Sequence, residues 1–108
     1  MSIDNQIEIP QSFIALYLKP GRERPSAPRD VVAARYEQCE DMAQTLIEHA
    51  RAWAFKDNLG ETEILLRCRQ GLLAEGSGFT PPEAAWVIHR LAELLDWTPP
   101  APESPVVR

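Results

Sequence analysis

An all-α fold, a small helical bundle, is predicted for this 108-residue chain by three observations. Val32, Tyr36, Cys39, Ala43, Leu46, Ala50 and Trp53 recur at alternating steps of four and three, an unbroken apolar seam at heptad spacing. Thr80-Pro81-Pro82-Glu83 is a capping box opening a second amphipathic run. No two stretches alternate apolar and polar residues in a way that would let strands pair. The bundle expected is a short N-terminal helix, a long central helix and two medium helices returning along it.

The order of elements follows from local signals. Met1 to Ile9 is polar with isolated isoleucines and reads as a frayed terminus. Pro10 suits a first helical position, and Phe13, Ile14, Tyr17 and Leu18 share one helical face, so a short helix is expected over Pro10 to Lys19. The rival reading is a strand, disfavoured because nothing is available to pair with it. Residues 20–28, with Pro20-Gly21 and prolines at 25 and 28, read as an extended linker, with Ser26 as N-cap of the long helix. Arg29 to Phe55 contains neither Gly nor Pro and would run roughly 40 Å as a helix.

Asp57-Asn58-Leu59-Gly60 supplies a reversal, and Glu61 to about Leu73 a third helix with acids in its first turn and an apolar face expected against the seam. After the Glu75-Gly76-Ser77-Gly78 break, Ala84, Val87, Ile88, Leu91, Leu94 and Leu95 form the stripe of a fourth helix ending near Asp96-Trp97. Residues 98–108 carry four prolines and read as a disordered tail, leaving residues 1–97 as a single domain with Trp97 pinned to its core.

Hydrophobic residues make up 44% and charged residues 25%, a balance that fits a soluble globular protein and neither a disordered nor a membrane one. No apolar run approaches the ~20 residues that span a bilayer, and the N-terminus lacks a basic region followed by an apolar stretch, so a cytoplasmic protein is expected. The charge is uneven: residues 1–36 carry +1 and residues 37–64 carry −5. A net charge of −5 repels phosphate backbones, so nucleic acid is not an expected partner. A contact through the basic linker, residues 19–29 with Arg22, Arg24 and Arg29, is the one exception weighed.

Opposite the seam, the long helix carries Glu37, Asp41, Gln44, Glu48 and Arg51. A solvated face is the ordinary reading of such a stripe. The sharper one is a docking surface for a basic partner, because Glu37, Asp41 and Glu48 share one side of the helix.

Chemistry-bearing constellations are missing from the pattern. Two histidines and two cysteines lie isolated, without the close pairs of a zinc site, and no Glu-x-x-His exists for a di-iron bundle. Folding the hairpin about Asn58 sets position 68 opposite position 49, leaving Cys68 some ~15 Å from Cys39, so both cysteines are expected as free thiols. No glycine is followed by Lys-Ser or Lys-Thr, which removes the usual nucleotide loop. No cofactor, metal or catalytic residue is expected.

Ile9-Pro10-Gln11-Ser12-Phe13 and Arg35-Tyr36-Glu37-Gln38-Cys39-Glu40-Asp41 resemble segments of small proteobacterial proteins of unknown function, some labelled "ATPase with chaperone activity". The resemblance covers most of Ile9 to Trp97. It implies a chaperone-like role and transfers no functional residue, and the ATPase part of the label has no nucleotide motif to rest on here. The expected function is therefore a non-enzymatic protein-protein interaction module, a regulator or chaperone-like adaptor. A small enzyme of unrecognised class is the runner-up. A homodimer through the seam is a further expectation.

Overall fold

The computed structural model describes residues 8–19, 21 and 24–99. In chain order the elements are α1 (Gln11–Ile14) continued by a 3-10 turn (Ala15–Tyr17), α2 (Arg29–Lys56), α3 (Glu61–Leu73) and α4 (Pro81–Leu95). The expected all-α bundle is the fold observed. Among the described residues no helix is long and apolar enough to cross a membrane.

Helix α4 is the central packing partner: it lies along α2 most extensively and takes α3 on its other side, while α3 touches α2 less. The expectation that α3 would cover the seam is therefore corrected. Val32, Cys39, Ala43 and Ala50 are buried, whereas Tyr36, Leu46 and Trp53 are only half-buried. A straight α-helix advances 100° per residue and drifts about 20° per heptad against a 3.5-residue repeat, so a strict heptad seam rotates around the cylinder unless the helix supercoils. The four buried positions stay within ~20° of one line, and Leu46 and Trp53 fall ~40–60° to the α3 side. The largest fully buried side chains are instead Phe13, Ile64, Leu65, Ile88 and Leu91.

Local chemistry explains the ends. Thr80 accepts a hydrogen bond from the Glu83 backbone N–H at 3.2 Å, and the Glu83 side chain accepts one from the Thr80 N–H at 3.0 Å, closing the capping box. At the other end Asp96 adopts φ 62°, and the Trp97 N–H reaches the Ala92 carbonyl at 2.8 Å. That closure satisfies an orphan carbonyl and turns half-buried Trp97 back against the core. Asn58, at φ 54°, makes the reversal between α2 and α3, a conformation asparagine tolerates better than most residues. Helix α2 starts on Pro28 without a side-chain cap, so Ser26 does not serve as expected.

The N-terminal segment differs most from its sequence reading. The helix expected over Pro10 to Lys19 stops being α-helical at Ile14, tightens into the 3-10 turn and ends at Leu18, which is extended. A residue before proline is disfavoured in the α region, so Pro20 works against a helix reaching Lys19. Leu18 instead bridges antiparallel to Pro25, and the Ser26 N–H donates to the Tyr17 carbonyl at 2.6 Å. The expected extended linker is thus folded back on the first element. Ile9, read as part of a frayed end, is buried. Residues 1–7 of that end, Arg22, and the tail from residue 100 lie outside the described residues.

Candidate functional site

The N-terminal segment is held by one aromatic cluster and one polar cluster, and together they shape a groove between it, α2 and α4. Phe13 is fully buried, with ring centroids 5.6 Å from Tyr17, 5.6 Å from Tyr36 and 5.1 Å from Trp86, the last edge-to-face at 85°. Removing such a side chain from water is worth roughly 1.5–3 kcal/mol, with some more from the ring geometry. Tyr36 and Trp86 meet edge-to-face at 5.8 Å, and the Trp86 indole N–H donates to the Ser12 hydroxyl at 3.0 Å.

The polar cluster centres on Glu83, 3% exposed on the inner face of α4. One carboxylate oxygen accepts from the Tyr17 hydroxyl at 2.6 Å and Arg35 Nε at 2.9 Å; the other accepts from Arg35 Nη2 at 2.7 Å besides the Thr80 N–H. Arg35 Nη2 also donates to the Gly78 carbonyl at 2.7 Å, and the guanidinium lies 5.7 Å from the Phe79 ring centre. A buried carboxylate costs free energy unless paired and fully hydrogen-bonded, and this one is both. Burial alone would raise its pKa, but the hydrogen bonds from Arg35 and Tyr17 outweigh burial and hold the carboxyl at about 2. Burial, then the bond to Glu83, pushes the Tyr17 hydroxyl up to about 12.

Between the N-terminal segment, α2 and α4 runs an open groove of about 660 Å³, floored by Tyr36 and Trp86 and walled by Pro10, Leu16, Pro82 and Ala85. Its rim is charged: Arg90 makes a two-pronged bond to Glu40 at 2.9 and 3.1 Å and a third to Glu93 at 3.2 Å, with His89 beside Glu93 at 3.8 Å. Burial would raise the Glu40 carboxyl, yet the bonds from Arg90 and Gln44 lower it on balance. A recess of about 430 Å³ adjoins at Leu16 and Pro82 and reaches Arg35 and Tyr17.

The sequence-predicted residues fall into two places. Glu37, Asp41 and Glu48 are all exposed on α2, and among the described residues none is engaged in an ion pair. Tyr36 and Glu40 turn toward α4, and Glu37 and Asp41, each one residue and ~100° further round, lie on the outer face of α2, away from the groove. Arg24 and Arg29 are exposed at the other end of the site, before and at the first residue of α2.

Arg35, Glu40 and Arg90 were not singled out by the sequence reading, and Glu83 was read only as the acid of the capping box. Glu83 stands four residues before Val87, and Arg35 lies three after Val32 and four before Cys39. A charge at a core register on each of two facing helices was the available signal.

The thiols and histidines make no second centre. Cys39 and Cys68 are free and buried, and burial raises both, Cys39 to about 12, so neither is a ready thiolate. Cys68 and His49 line a shallow recess of about 290 Å³ between α2 and α3 with Met42, Leu46 and Trp53. Among the described residues no group of three or more His, Cys, Asp or Glu side chains could hold a metal ion.

No protein-family model, no curated protein and no solved structure matches the chain.

Proposed function

We propose that the chain is a non-enzymatic protein-protein interaction module, a regulator or chaperone-like adaptor, that meets another protein through the shared face of α2 and α4. One observation supports this reading: an open groove lined by Tyr36 and Trp86 lies between α2 and α4, while the outer face of α2 exposes Glu37, Asp41 and Glu48, which have no ion-pair partner among the described residues. Aromatic anchors surrounded by a charged rim are the usual anatomy of a protein contact surface, and a one-signed flank steers and selects the partner. The groove floor is also held rigid, because Phe13 and the Glu83–Arg35 cluster lock all three of its walls. A preorganised surface loses less entropy on association.

The test is capture of partners from a cell extract by the purified chain and by a Glu37→Lys, Asp41→Lys variant, with identification of what is retained. A partner held by the natural chain and released by the variant is the expected result. Identical sets on both proteins would remove the acidic stripe of α2 from the function. Sedimentation over a range of concentrations tests a homodimer in the same preparation.

A further inference from the structure

We infer that residues 9–18 form a strap that lifts off α2 and α4 as one piece, ahead of any unfolding of the bundle, and that this motion sets the width of the α2–α4 groove. The segment keeps its backbone bonding to itself. The Phe13 and Ile14 N–H groups donate to the Pro10 carbonyl at 3.0 and 3.1 Å, and the Leu18 N–H to the Ala15 carbonyl at 3.2 Å. The Tyr17 carbonyl accepts from the Ser26 N–H at 2.6 Å, beside the Leu18–Pro25 bridge. Among the described residues no backbone–backbone hydrogen bond joins residues 9–18 to α2, α3 or α4. Lifting the segment, with Pro25 and Ser26 paired to it, therefore leaves the backbone bonding of the bundle intact.

Side chains are what hold it down. Of its ten residues only Ile9 and Phe13 are buried. Phe13 packs on Tyr36 and Trp86, the Ser12 hydroxyl accepts from Trp86, and the Tyr17 hydroxyl donates to Glu83. Helix α4, by contrast, buries a continuous stripe from Glu83 to Ala92. A segment with few buried apolar contacts opens at a lower free energy than the core it rests on.

The strap is also a wall. Pro10, Ser12 and Leu16 line the groove, and Ile9 and Ile14 share a recess with Val32, which is 2% exposed in the first turn of α2. Opening joins the groove to the seat of Phe13 and bares Val32. As regulation of the α2–α4 face this rests on the reading of that face as a protein contact; the opening itself does not.

Amide hydrogen exchange on the natural chain tests the inference. The amides of Phe13, Ile14, Leu18 and Ser26 should share one protection factor, roughly a hundredfold or more below those of Val87, Ile88 and Leu91 in α4. Tyr17→Phe, which removes only the hydroxyl tie, should lower all four by the same few-fold factor. In a Val32→Cys variant the new thiol should react with a labelling reagent about tenfold or more faster than the fully buried Cys39. Equal protection of strap and α4 would overturn the inference, because the chain would then open only as one cooperative unit. Protection factors that scatter among the four amides or ignore Tyr17→Phe, or a Val32→Cys thiol no faster than Cys39, would overturn it too, since local fraying leaves the strap seated. Exchange is measured without a partner, so a chain that captures no protein can still show the opening, and a chain without the opening can still capture one.

Discussion

The two halves of α2 carry the same heptad pattern and end up in different surroundings. From Val32 to Ala43 the helix is roofed by α4 and the N-terminal segment, with Phe13, Tyr36 and Trp86 in mutual contact and a buried ion pair alongside. From Leu46 to Lys56 it borders α3, leaves the recess beside Trp53 and carries Phe55 in its last turn, 88% exposed. A periodic sequence states which side of a helix is apolar. How tightly that side is covered depends on the lengths and axes of its neighbours, and here α4 follows a line that the second half of the seam rotates away from.

The sharpest way to break this contrast is Glu83→Ala. It strips Arg35 and Tyr17 of their shared acceptor and opens the capping box, and because Arg35 is 26% exposed some of its charge is rescued by water. A loss of about 3–4 kcal/mol in urea unfolding is expected. A change below ~0.5 kcal/mol would mean that the cluster does not lock the N-terminal half.

Paired truncations come next. Leu65→Ala, at a fully buried position, should cost about 3 kcal/mol, and Leu46→Ala, half-buried beside the recess, only about 1 kcal/mol. Equal losses would show that the two sites are equally well packed and would end the distinction drawn here.

Acid titration isolates the polar cluster. Glu83 has a folded pKa of about 2 against an ordinary 4.5, so its ionised form is favoured by folding. Its contribution is fully present above about pH 4.5 and is lost as pH falls toward 2, roughly 2 kcal/mol by pH 3. Tyr17, raised from 10.0 to about 12, works in the opposite sense: its contribution is complete below pH 10 and is lost as pH rises toward 12. The difference in stability between the natural chain and Glu83→Gln, followed by chemical denaturation across pH, should therefore shrink below pH 4.5; a constant difference would remove the linkage.

The smallest effect is expected on the acidic stripe. Glu48→Ala should change stability by less than ~0.5 kcal/mol, and a thermal melt that shifts by more would place Glu48 in a structural role.

How much of this was legible in the sequence depended on how local the signal was. Helices α3 and α4 begin where Glu61 and the Thr80 capping box say they should, because caps, prolines and first-turn acids act within a few residues. The length of the first helix was misread because its end is set by Pro20 and by pairing of Leu18 with Pro25, partners that a helical pattern does not display. Leu46, in the middle of the expected seam, is only half-buried, since residue spacing alone cannot say which line on α2 the neighbouring helix will follow. The acidic stripe is exposed where the period placed it. The groove between α2 and α4 was invisible, because Pro10, Tyr36 and Trp86 come together only through tertiary packing.

Contact between the first and last helices also fixes when, during synthesis, the protein can become itself. Ser12 and Trp86 are 74 residues apart, and Phe13 has no second wall until α4 exists. A nascent chain ending before Pro81 can form the α2–α3 hairpin, yet it would hold Phe13, Tyr36 and the inner face of α2 without their cover and Arg35 without its carboxylate. Folding of this domain is therefore committed late, after α4 has left the ribosome, and until then the emerging chain presents to its surroundings the apolar face that the finished protein conceals.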